Sequence, residues 1–134
     1  MKAGTIVARN YLAQASVLAN SFNEYNPEYP FHILVIDGDE SDRNYLGPST
    51  QIVLPSDLPI ETFDWHAMAA IYDVMEFATA IKPKFLEFLL SDNTSSAIYL
   101  DPDIQVFSHL GSIDAELSNT SVVLTPHCLF PIPR

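Results

Sequence analysis

The stretch Ala97-Ile98-Tyr99-Leu100-Asp101-Pro102-Asp103-Ile104-Gln105-Val106-Phe107 decides how the rest of the chain is read. Four apolar residues lead into two aspartates separated by a proline, and a second apolar run follows. Such a run reads as a strand buried on both faces of a sheet. Proline has no N–H and fixes its own φ, so a regular ladder should stop before Pro102. The chain then turns at the carboxyl end of the strand and holds Asp101 and Asp103 at the rim, where open α/β sheets bind ligands. Two carboxylates so close repel unless a cation lies between them, and hard divalent cations favour oxygen ligands. By itself the pair fits a solvated acidic turn as well as a metal site.

The composition frames that choice. A chain of 134 residues is expected to form one domain, 1–134, with a sizeable core. With 48% hydrophobic and 17% charged residues it is globular in character, not disordered. Seventeen acidic against six basic residues give a formal charge of −11. That argues against nucleic acid or an anionic membrane surface as partner, because both need clustered Lys and Arg. A phosphate-bearing ligand would need a cation or helix N-termini as intermediary. Cys128 is the only cysteine, so no internal disulfide forms and a reducing, cytoplasmic setting is expected. Arg9 and Asn10 cut short the apolar residues before them, which speaks against an export signal, and no stretch has the length of a membrane span. The N-x-S triplets at Asn93 and Asn119 are then chance matches.

In chain order, residues 5–8 read as a first strand. Leu12, Ala15, Leu18, Ala19 and Phe22 recur at helical spacing, giving a helix over 11–25 with Asn10 as N-cap and Asn26-Pro27 as stop. Residues 31–36 are a second strand ending in Asp37-Gly38-Asp39, so a βαβ unit with a parallel pair follows. Residues 38–50 are a polar loop with room for one helical turn, and 51–54 a third strand. Asp64 is expected to cap a helix over 65–80, with Met68, Ile71, Tyr72, Met75 and Ala78 facing inward. Pro83 should break or kink it at Lys82, and a second segment, 83–90, should bury Phe85, Leu86, Leu89 and Leu90. A short helix over 110–117 and a last strand over 121–124 complete the reading. The tail from Cys128, with two prolines and exposed apolar residues, looks like chain cut off in mid-course.

Together these pieces resemble the N-terminal, nucleotide-sugar-binding half of a GT-A glycosyltransferase, glycogenin and the bacterial lipopolysaccharide hexosyltransferases being the nearest likeness. Ile6-Val7-Ala8-Arg9-Asn10-Tyr11 with Ala15, Leu18 and Ser21 looks like the family's first strand and helix. Residues 77–86 (FATAIKPKFL) are similar to the helix before the D-x-D strand, and Ile98-Tyr99-Leu100-Asp101-Pro102-Asp103-Ile104 to the motif in its hydrophobic frame. The fold implied is a mostly parallel α/β sheet flanked by helices, truncated at its C-terminus. The activity implied is transfer of a sugar from a nucleotide sugar, a uridine diphosphate sugar first among them, to an unknown acceptor.

The resemblance also implies a Mn²⁺ or Mg²⁺ ion held by Asp101, Asp103 and the donor diphosphate. Ala8, Arg9, Asn10 and Tyr11 would meet base and ribose, and Asp37 would reach the same nucleoside. Thr79 stands where relatives often carry an arginine, and Lys82, one turn later, could supply that charge or remain a solvated surface lysine. His127 is a further candidate ligand or a loop histidine, whereas His32, His66 and His109 lack partners at metal-site spacing. The catalytic groups and acceptor loops of the family lie beyond this stretch, so no catalytic residue is assigned.

Two other readings compete. Residues 33–41 (ILVIDGDES) also look like the nucleophile motif of the haloacid-dehalogenase phosphohydrolases, with Asp37 attacking phosphorus and Asp39 as acid/base. That motif belongs on its family's first strand, however, and the later paired acidic ligands are missing. A non-catalytic nucleotide-binding fragment is the third reading. A chain lacking its acceptor half should self-associate or bury residues 129–133 against a neighbour.

Overall fold

Residues 1–126 are described by the structure, a computed structural model. Four parallel strands form one sheet in the order β3–β2–β1–β4, where β1 is Lys2–Val7, β2 Phe31–Val35, β3 Thr50–Val53 and β4 Ala97–Tyr99. β2 is buried along its whole length and β1 from Ala3 onward. Helices cover both faces, so neither strand needs to alternate polar with apolar residues.

On one face lies α1, Leu12–Tyr25, whose Leu12, Ala15, Leu18, Ala19 and Phe22 pack on Ala3, Val7, Phe31, Ile33 and Val35. On the other lies α3, Val74–Leu89, which sets Phe77, Ile81, Phe85 and Leu89 against Ile6 and Leu34. A preceding helix α2, Thr62–Ile71, adds Trp65, whose ring meets Phe77 edge-on at 4.8 Å. Gly4 is where α3 comes closest: a Cβ there would lie 2.7 Å from Phe85 Cζ and 2.8 Å from the His32 carbonyl. A short α4 spans Gly111–Leu117, as the sequence suggests.

Several expectations need correction. β1 begins at Lys2, because it pairs with Ala97 at its amino end as well as with β2. Asn10 is not an N-cap: a 3-10 turn, Arg9–Tyr11, intervenes, and α1 starts behind Tyr11 without a side-chain cap. The helix expected over 65–80 is two helices, broken at Tyr72-Asp73. There Asp73 and Glu76 form a capping box that starts α3 afresh, while α2 begins behind Glu61, not Asp64. The break rotates the inward face, leaving Ile71 75% and Met75 81% exposed, and Trp65, Phe77 and Ile81 inside.

Pro83 does not interrupt α3. It lies on the exposed side with Thr79, whose carbonyl would have received the missing N–H and can turn to water instead. Leu90 is half-exposed beyond the helix end. The strand before the aspartates is an edge strand of three half-buried residues, not one enclosed on both faces. Among the described residues, 121–124 form no ladder: Val122, Val123 and Leu124 stand exposed across a gap from β4. His127, Cys128 and the 129–133 tail lie outside the described residues. No helix among the described residues is long and apolar enough to cross a membrane.

Candidate functional site

Parallel strands bring the carboxyl ends of β1, β2 and β4 to one rim, so Ala8–Tyr11, Asp37 and Asp101 share it. Past β1 the chain stays extended at Ala8 and then coils into the Arg9–Tyr11 turn. The Arg9 N–H donates to Asp37 Oδ1 at 2.6 Å, and Ile36 N–H donates to the Val7 carbonyl. Asp37 thus braces the turn that follows β1. Tyr11 is 51% exposed and Asn10 is exposed, so neither ring nor amide is taken up by the core.

The Arg9 guanidinium, itself exposed, reaches the turn that follows β2. Its Nη2 donates to Asp39 Oδ2 at 2.7 Å and to Asp42 Oδ2 at 2.6 Å, and its Nε to Asp42 Oδ2 at 3.1 Å. Asp42 sits in a second 3-10 turn, Glu40–Asn44, capped by Asp39, whose Oδ1 accepts from the Ser41 N–H and hydroxyl. The Ser41 hydroxyl and the Arg9 guanidinium hold the Asp39 carboxyl well below the usual carboxylate range, and Asp39 and Asp42 push the guanidinium further up. Asp37 and Asp39, the nucleophile and acid/base of the phosphohydrolase reading, are both engaged in the turns.

At β4 the last bond to β1 runs from Leu100 N–H to the Gly4 carbonyl, and Ile104 N–H closes the turn on the Asp101 carbonyl at 3.1 Å. The ladder ends before Pro102, as its missing N–H requires. Asp101 and Asp103 are both exposed on this turn. Lys82 projects from α3 to the same place, its Nζ 3.4 Å from Asp101 Oδ1 and 4.4 Å from the centre of the Tyr99 ring. Burial, reinforced by Asp101, raises the Tyr99 hydroxyl well above its ordinary range, so the ring stays neutral beside the lysine.

The donor chemistry fits a hard divalent cation: two exposed carboxylates on one turn at a sheet rim. Among the described residues no third His, Cys, Asp or Glu joins them. Of the other histidines, His32 is buried with Nδ1 3.3 Å from the Ala3 carbonyl, His66 is exposed on α2, and His109 pairs with Glu28 at 2.5 Å.

A hollow of about 1180 Å³ runs along the outer side of β4, between it and residues 113–126. Asp101 lines its end; Asp37 and residues 8–11 lie outside it. Sequence reasoning missed Asp42. Its signal was the spacing Asp39-x-x-Asp42, which has the form of a capping box, but nothing in the sequence says that Arg9 closes on it.

No protein-family profile matches the chain, and no curated protein matches it. Among solved structures, the galactosyltransferase LgtC in complex with donor and acceptor sugar analogues superposes with a TM-score of 0.56 at 21% identity. An active-site mutant of LgtC does so with a TM-score of 0.56 at 22% identity. The fold is GT-A. Each match covers 84% of this chain and 41% of the other, so the chain spans less than half the length of those GT-A structures. A parallel four-stranded sheet between helical layers is thus a GT-A arrangement in this chain, as the resemblance implied.

Proposed function

We propose that the chain is the donor-binding side of a metal-dependent glycosyltransferase that takes a nucleoside diphosphate sugar. One observation carries the reading: in a GT-A fold, Pro102 ends β4 so that Asp101 and Asp103 stand exposed at the rim that also holds the Arg9 turn and Asp37. The −11 charge supports it, because an acidic protein can hold a diphosphate through a shared cation where it lacks clustered Lys and Arg.

In this reading Asp101 and Asp103 hold Mn²⁺ or Mg²⁺. When bound, the ion offsets the negative charge that grows on the departing nucleoside diphosphate. The rest falls to the chain. Lys82, held near Asp101 over the Tyr99 ring, places a second positive charge beside the diphosphate. The backbone from Ala8 to Asn10 reads the base edge, Tyr11 offers its exposed ring for stacking, and Asp37 keeps the turn in place while its second oxygen accepts from ribose or base. Transfer breaks the bond between the anomeric carbon and the diphosphate oxygen. An acceptor oxygen bonds to that carbon, and its proton passes to the released diphosphate oxygen or to water.

Calorimetry of uridine and guanosine diphosphates, each with and without Mn²⁺, tests the reading. It expects one of them to bind, more tightly with metal, and Asp103→Asn to remove the metal-dependent part while the fold persists. Equal binding by Asp103→Asn and wild type would reject the metal assignment.

A further inference from the structure

Beyond the aspartate turn, residues 104–110 cross the α1 face of the sheet without joining any ladder. Two side chains from the end of α1 fasten them. Val106 N–H donates to Ser21 Oγ at 3.0 Å within the core, and Leu110 N–H donates to Asn26 Oδ1 at 2.7 Å. Both acceptors are fixed in orientation: the Ser21 hydroxyl donates to the Leu18 carbonyl at 2.9 Å, and Asn26 Nδ2 to the Phe22 carbonyl at 3.2 Å. Ser21 and Asn26 are buried, and the Val106 side chain is sunk among the α1 residues. A hydroxyl in an apolar helix stripe is costly to bury without partners, and alanine would be the better helix former. Ser21 has two partners, the Leu18 carbonyl within its own helix and the Val106 N–H of the strap.

The position of the second partner matters. Val106 follows Asp103 by three residues, and Leu100, held by Gly4, precedes Asp101 by one. Between those anchors the turn has its own Ile104–Asp101 bond. The same helix starts directly after the Arg9 turn, so α1 joins both lips of the rim. We infer that Ser21, backed by Asn26, is a positioning residue for the metal-binding turn, setting where Asp103 stands at the rim. This rests on the donor-site reading above.

Three variants test it: Ser21→Ala, Ser21→Thr, and Leu89→Val as a core control on the opposite face. Without metal, hydrogen exchange at the Val106 amide and ¹⁵N relaxation over 103–107 report the strap. Mn²⁺ affinity is then read by electron paramagnetic resonance at fixed uridine diphosphate. Ser21→Ala is expected to free the Val106 amide and weaken Mn²⁺ binding roughly fivefold, the loss of one net hydrogen bond. Ser21→Thr should restore both, and Leu89→Val should lower the melting temperature with Mn²⁺ affinity unchanged. Should Ser21→Ala not fold, Ser21→Cys, a weak acceptor of similar volume, takes its place. Undiminished Mn²⁺ binding by Ser21→Ala, or an equal loss in Leu89→Val, overturns the inference and leaves the donor site standing. A wild type that binds no Mn²⁺ removes the donor-site reading and the inference with it.

Discussion

Arg9 and Asp42, 33 residues apart, are joined by two hydrogen bonds from Nε and Nη2 to a single carboxylate oxygen, at 3.1 and 2.6 Å. That oxygen also accepts the Asp39 N–H at 2.9 Å, while Asp37 accepts the N–H of Arg9 itself. The turns after β1 and β2 are therefore one hydrogen-bonded unit.

Asp42→Ala would leave the guanidinium with Asp39 alone and orphan the Asp39 N–H. A loss of about 0.5–1.5 kcal/mol in urea denaturation is expected, chiefly from the part-buried Asp39 N–H losing its acceptor, since water can solvate the exposed guanidinium. An unchanged midpoint would mean that water replaces Asp42 at no cost.

His32 gives the fold a pH dependence above the range where the carboxylates titrate. Burial disfavours its imidazolium, so its pKa is lowered from 6.5, and the neutral ring donates Nδ1–H to the Ala3 carbonyl. The unfolded chain takes up a proton near pH 6.5 that the folded chain refuses. Stability is thus full above that pH and falls as pH drops below it, by up to about 1.4 kcal/mol per pH unit until the folded pKa is reached. His32→Gln should flatten the slope between pH 6.5 and 5. Asp39, whose pKa is lowered, contributes in the opposite range: its stabilisation is present above about pH 4 and lost only below it. An identical slope in His32→Gln would assign the effect elsewhere.

Pro83 is the residue at which local preference and tertiary packing part company. Two apolar positions before it, Phe77 and Ile81, and two after it, Phe85 and Leu89, share one buried stripe, and that stripe holds α3 together through the proline. Pro83→Ala restores an N–H for Thr79 and should stabilise the protein by about 1–2 kcal/mol, less than the full helix penalty because the unfolded chain also gains freedom. A lower melting temperature would show that the proline is needed to shape the helix.

Gly4→Ala puts a methyl group where the Phe85 ring and the His32 carbonyl already stand at 2.7 and 2.8 Å. A destabilisation of about 1–3 kcal/mol is expected, partly relieved by adding Phe85→Leu. Strict additivity of the two substitutions would deny the contact.

The sheet and its rim were legible because their signals are local. The β1–α1–β2 unit shows in the change from an apolar run to the spacing of Leu12, Ala15, Leu18 and Phe22, and Pro102 marks where β4 must end. The break between α2 and α3 was missed because Met68, Ile71, Tyr72 and Met75 continue a helical stripe through Asp73, and only the capping box with Glu76 reveals the restart. The 121–124 strand was read from β-branched residues, which show preference but not a neighbour to pair with. The Arg9–Asp42 and Ser21–Val106 contacts join residues 33 and 85 positions apart, and no periodicity reports such a distance.

The most direct test is calorimetric titration of uridine and guanosine diphosphates into the folded chain, with and without Mn²⁺, alongside Asp103→Asn. The donor-site account predicts that one nucleoside diphosphate binds, that Mn²⁺ strengthens it, and that the variant keeps its melting temperature but loses the metal dependence. A well-folded wild type that binds neither nucleotide under either condition would contradict it.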